Sequence, residues 1–188
     1  MWRGIISAAV LGFLLVVSGC GSSRTNHDLT SKQLASHIIS APSGYVIDPT
    51  TGANGQISSK VYDHYGGSSS GGFVAGFKQD YVDEDTAEGI AITVLEFASA
   101  PDAAAYFKAT AYKTLSLADA TYQPFSYIAG AVEADGTKAY GGEYSNAVVL
   151  TTGKFYLQLL YANADPRQKP IEFRLWVEAQ WQLLGKLE

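Results

Sequence analysis

The chain has 188 residues, 47% hydrophobic and 16% charged, which is too apolar for a disordered polymer, too interrupted for a polytopic membrane protein, and the right length for one domain plus a short appendage. Thirteen basic residues against 18 acidic ones give a formal charge of -5, with no basic stripe of the kind that releases counterions from nucleic acid or docks on anionic headgroups. A single cysteine forbids an internal disulfide and any multi-cysteine metal site.

The chain opens with Met1-Trp2-Arg3, followed by a 13-residue apolar run from Ile5 to Val17 broken only by Ser7 and Gly12. As a helix this run spans about 20 Å, short of the roughly 30 Å hydrocarbon core of a bilayer. It reads as the h-region of a signal peptide. Directly behind it, Val17-Ser18-Gly19-Cys20 resembles the bacterial lipobox, an aliphatic residue and two small ones before a cysteine. The resemblance implies cleavage between Gly19 and Cys20, a diacylglyceryl thioether on Cys20, and attachment to the outer side of the cell membrane. Two acyl chains, at about 0.8 kcal/mol per buried CH₂, anchor stably where one is marginal. Cleavage removes Arg3, leaving 12 basic residues against 18 acidic and a formal charge of -6. Gly21 to Asn26 is small and polar, a flexible tether able to hold a domain about 20 Å off the bilayer. The expected layout is a signal peptide over 1–19, a lipidated tether over 20–27 and one domain over 28–188.

Thr30-Ser31-Lys32-Gln33 has the form of a capping box, and Leu34, Ile38 and Ile39 follow at helical spacing, so a short helix is predicted that stops before Pro42. Residues 44–60 read as loop with a brief strand at Tyr45 to Ile47, and Val61 to Tyr65 as a short strand. Phe73, Ala75, Phe77 and Tyr81 alternate with Gly76, Lys78 and Asp80, the pattern of a strand with one buried face. Ile90 to Phe97 is apolar on both faces apart from Thr93 and Glu96, which predicts an interior strand. Asp83-Glu84-Asp85 forms the turn between them.

Ser99-Ala100-Pro101-Asp102 is a helix start, with serine as cap, proline in the first turn and a carboxylate facing the dipole. Ala104, Phe107, Ala111 and Leu115 then define a buried stripe to about Ala118. Three strands are predicted after Pro124, at Phe125 to Val132, Tyr140 to Leu150 and Lys154 to Ala162, the last two joined at Thr151-Thr152-Gly153. Behind Pro166 and Pro170, a final helix carries Phe173, Trp176, Val177, Trp181 and Leu184 at steps of three and four. Helix, strands, helix, strands, helix argues an α+β fold, a mostly antiparallel sheet packed by two or three helices.

The run from Phe73 to Phe107, with its G-F strand, V-x-x-F strand and alanine-rich helix, resembles a group of uncharacterised actinobacterial secreted lipoproteins. Asp28-Leu29-Thr30 and Pro42-Ser43-Gly44-Tyr45 fit the same pattern. The layout is also similar, more distantly, to the PsbP-like fold of some mycobacterial lipoproteins. Neither resemblance brings a catalytic residue with it.

Motifs with chemical content are few. Gly67-Ser68-Ser69-Ser70-Gly71 satisfies G-x-S-x-G, but it leads from a polar tract into a strand, whereas a nucleophile elbow joins a strand to a helix. Ser69 is read as a loop serine. His27, His37 and His64 lack the close pairing that zinc requires. Asp80, Asp83, Glu84, Asp85 and Glu88 lack EF-hand spacing and read as a solvated turn. No catalytic residue, metal site or cofactor is assigned, and nucleic acid is not expected as a partner. The 12 Tyr, 8 Phe and 3 Trp favour a non-enzymatic envelope lipoprotein that binds a small apolar or lipid ligand, or an envelope protein, in a groove between sheet and helix. A hydrolase with an unrecognised carboxylate site and a structural accessory of a membrane complex are the alternatives.

Overall fold

The computed structural model describes residues 28–49, 54–59, 62, 71–86, 88–111, 121–139, 143–163 and 172–187. The expected signal peptide and tether, Ser69, His27 and His64 lie outside them. Among the described residues, three helices, α1 (Ser31–Ala35), α2 (Ala100–Thr110) and α3 (Glu172–Gly185), accompany eight strands. The strands are β1 (Val46–Ile47), β2 (Gly55–Ile57), β3 (Phe73–Val82), β4 (Gly89–Phe97), β5 (Thr121–Pro124), β6 (Val132–Ala139), β7 (Glu143–Thr152) and β8 (Phe155–Asn163). They form one sheet in the order β1-β3-β4-β8-β7-β6-β5, with β2 also on β3. Every pairing is antiparallel. The fold is α+β, as the element order predicts.

Local signals act where the sequence places them. The Thr30 side chain accepts from the Gln33 amide while the Gln33 side chain accepts from the Thr30 amide, completing the capping box. Ser99 caps α2 through the Asp102 amide, with Pro101 in the first turn. Gly153 turns the β7–β8 hairpin at φ +45°. β4 is interior, paired to β3 on one side and β8 on the other.

One face of the sheet packs Tyr81, Ile90, Ile92, Val94, Val148, Leu150, Leu157, Leu159 and Tyr161 beneath α1 and α3, which supply Leu34, Phe173, Val177 and Leu184. The other packs Leu95, Phe97, Ala134, Ala147, Val149 and Tyr156 beneath Ala103 and Tyr106 of α2. Full burial of a Val, Leu, Ile or Phe side chain contributes about 1.5–3 kcal/mol, so both layers are needed to hold the sheet. At Gly76 an added Cβ would stand 2.8 Å from Leu95 Cδ2 and 2.9 Å from Ile57 Cβ. Only glycine lets β2 and its apolar residue settle so close.

Four expectations are corrected. The connection 44–60 holds a second strand, β2, which a three-residue segment with a single apolar side chain could not announce. Tyr62 sits in a helical turn, its amide donating to the Ser58 carbonyl, rather than in a strand; the rest of that predicted strand lies outside the described residues. α2 ends at Thr110, and its buried residues are Ala103, Tyr106 and Thr110 rather than Ala104 and Phe107. In a segment this rich in alanine, neighbouring stripes are almost equally apolar and Tyr106 decides between them. Residues 125–131, predicted as strand, are the connection of a β5–β6 hairpin whose strands flank them.

The sheet has two ends. The lower end carries the β7–β8 turn at Gly153-Lys154, the start of α2 at Ser99 and the 125–131 connection. The upper end carries the acidic β3–β4 turn over 83–88. β4, nine residues long, separates them by about 30 Å at 3.4 Å per residue.

Candidate functional site

Two features of the lower end stand out from ordinary packing. The first is the root of the chain. Glu96, near the end of β4, is fully buried. Its two carboxylate oxygens accept the Leu29 amide at 3.2 and 3.0 Å, and Lys154 Nζ lies 2.6 Å from Oε1. Lys154 also reaches Asp28 at 3.6 Å. Desolvation raises the Glu96 pKa above the ordinary carboxylate value, against the opposing pull of Lys154 and the Leu29 amide. A buried carboxylate without such partners would be strongly destabilising, so the network fixes residues 28–29 to the lower end of the sheet.

The second is a groove of about 460 Å³ lined by residues 122–126 and 128–132, within the 300–1,000 Å³ range of small-molecule sites. The connection that forms it is tightly closed: the Phe125 amide donates to the Ala131 carbonyl at 2.9 Å, and the Ala131 amide to the Ile128 carbonyl at 3.1 Å. Phe125, Ile128 and Ala131 turn into the core, leaving Ser126, Tyr127, Ala129 and Gly130 exposed. Gly130 holds φ +81°, which favours glycine. Tyr127 stands edge-on to Phe125 at 5.3 Å, under the Arg174 guanidinium at 4.1 Å, and remains 54% exposed. At the strand end of the groove, Gln123 Nε2 donates to Glu133 Oε2 at 3.2 Å. The lining is therefore mostly apolar, with Tyr122, Gln123 and Ser126 as its polar side chains.

Further up the first face, Asp135, Asn146 and Tyr161 lie side by side across β6, β7 and β8. Asn146 is fully buried, and among the described residues neither atom of its amide finds a partner. Burial raises the Asp135 pKa. At the upper end Tyr45 donates to Glu88 at 2.9 Å and meets the Trp176 ring edge-on at 5.5 Å. Burial, then the Glu88 hydrogen bond, push its phenol far above the ordinary range.

The acidic residues singled out from sequence do not converge. Asp83 Oδ1 accepts the Asp85 and Thr86 amides within its own turn, Asp80 pairs with Lys78 at 2.9 Å, and Glu88 holds Tyr45. Among the described residues no group of His, Cys, Asp and Glu side chains could hold a metal ion. His37 follows α1, its Nδ1 2.8 Å from the Gln33 carbonyl. Trp176 and Trp181 are both half-buried against the first core layer. Between the sheet and helices α1 and α3, where a groove was expected, Leu34, Phe173, Val177 and Leu184 pack into the core; the groove described above lies at the β5–β6 connection. Sequence reading missed it because Phe125 to Val132 has the apolar content of a strand; the signal against a strand was Gly130, two residues before β6.

No family model matches this chain, and no curated protein does. Among solved structures, the extracellular domain of PknH from Mycobacterium tuberculosis is similar in fold. The TM-score is 0.50 at 12% identity, covering 79% of this chain and 80% of that one. Among the described residues no helix is long and apolar enough to cross a membrane.

Proposed function

We propose that this chain is an extracytoplasmic envelope lipoprotein, anchored through lipid on Cys20, which binds the acyl tail of a lipid in the groove at the β5–β6 connection and is not an enzyme. The observation that carries the reading is the groove itself: about 460 Å³, apolar along most of its walls, with half-buried Tyr122 among its lining residues. A tyrosine in an apolar wall offers its ring to hydrocarbon and its hydroxyl to a polar group. The lipobox supports the anchor, and the likeness in fold to an extracellular domain supports the location. Binding rather than catalysis is favoured because the polar pair at the groove, Gln123 and Glu133, is engaged with itself. No carboxylate is among the residues that line the groove, so the paired acids of a glycoside hydrolase are not present there.

The test is titration of the Cys20→Ser protein with a fluorescent fatty acid. Saturable binding at one site per chain is expected. Ala129 is an exposed lining residue, so Ala129→Trp should fill the groove without touching the core. We expect it to weaken binding about tenfold, roughly 1.4 kcal/mol, with the melting temperature unchanged. Absence of saturable binding by the unsubstituted groove would contradict the proposal and favour a structural accessory.

A further inference from the structure

The two lower-end features lie on one edge of the molecule. Glu96 of β4, which grips Leu29, pairs with Phe155 at the start of β8, and Phe155 pairs with Thr152 at the end of β7. β6 and β5 follow in the sheet, so the β5–β6 connection stands three to four strands from the root. At about 4.8 Å per strand that is roughly 14–19 Å sideways at the same level. Residues 20–27 span at most about 28 Å between Cys20 and the root.

We infer that the domain stands on the membrane with its lower end toward the headgroups and its acidic turn pointing away, so that the groove faces the bilayer and takes its occupant from it. This rests on the anchoring at Cys20 proposed above. Three observations bear on the orientation. The Glu96–Lys154 network holds residues 28–29 at the lower end, so the chain enters the described domain there. Asp83, Glu84, Asp85 and Glu88 stand at the opposite end, and the negative surface potential of an anionic leaflet repels them. Tyr127, the most exposed aromatic of the lower end, is of the residue type that settles at the level of headgroups. An acyl chain leaving the bilayer would then meet the groove without crossing water.

The test uses the full chain made in a host that processes lipoproteins, carrying either Ser126→Cys or Glu84→Cys. Both are exposed turn positions, one at each end of the sheet. Lipid on Cys20 leaves the introduced cysteine as the sole free thiol, which takes a nitroxide. The labelled proteins are reconstituted in phosphatidylcholine–phosphatidylglycerol vesicles doped with a nickel-chelating lipid. Relaxation enhancement by headgroup nickel should be several-fold greater at 126 than at 84. Equal enhancement, or a larger one at 84, with the protein floating with the vesicles, would overturn the orientation and leave the anchor standing. Protein that fails to float, with a second free thiol at Cys20, would overturn the anchor itself and the orientation with it.

Discussion

Lys154→Met should lower the melting temperature by roughly 10 °C. Its ammonium is the cation on a carboxylate that is fully buried, and removing one partner of a buried pair typically costs about 3–5 kcal/mol because the remaining charge is left uncompensated. A domain of this size loses about 2–4 °C per kcal/mol. Adding Glu96→Leu to the same chain should recover part of the loss, since no charge then remains inside. Recovery stays incomplete because the Leu29 amide loses its acceptor. The variant also has a pH signature. Burial raises the folded-state pKa of Glu96 above its ordinary value of 4.5, so the folded chain binds this proton more tightly than the unfolded chain. Stability attributable to Glu96 therefore rises as pH falls through the folded pKa toward the ordinary value, and is lost as pH rises again. Asp135 acts in the same direction. Lys154→Met removes the main influence that lowers the Glu96 pKa and should steepen the trend, as thermal melts between about pH 7 and about pH 5 would register. A melting temperature for Lys154→Met within a degree or two of the parent would mean that Glu96 does not hold the root.

Gln180→Leu should cost about 2 kcal/mol, with its effect concentrated on residues 37–39. Gln180 is fully buried on α3. Its Oε1 accepts the Ile39 amide at 2.9 Å and its Nε2 donates to the His37 carbonyl at 2.7 Å. One side chain thus latches the segment after α1 to the far end of the chain. Leucine conserves the apolar stripe and removes both bonds, leaving two partly buried backbone groups without partners. Hydrogen exchange at the Ile39 amide should quicken well beyond what the global loss of stability explains. Uniform exchange changes across the domain would show Gln180 to be ordinary core.

The fold was legible where side-chain chemistry and periodicity agree. The caps at Thr30 and Ser99, the interior strand at Ile90 to Phe97, the hairpin at Gly153 and the stripe of α3 are all local statements, and each holds. What was hidden depends on contacts distant in sequence. Glu96 reads as a polar interruption in a strand until Leu29, 67 residues away, is found on its carboxylate. Gln180 reads as a polar residue on the stripe, three after Val177, until Ile39 is seen 141 residues away. Apolar content made the 125–131 connection read as a strand, because Phe125 and Ile128 are buried in it as thoroughly as in a sheet; Gly130 alone spoke against it. The groove at the β5–β6 connection was not legible either: aromatic content pointed to the interval between sheet and helix, where Leu34, Phe173, Val177 and Leu184 belong to the core.

The anchor at Cys20 underlies both the proposed location and the orientation, and its most direct test is mass spectrometry of the protein taken from membranes of its native host. Lipid anchoring requires a chain that begins at Cys20 and bears a diacylglyceryl thioether on that sulfur. A chain still beginning at Met1, or a Cys20 thiol left free, would contradict it.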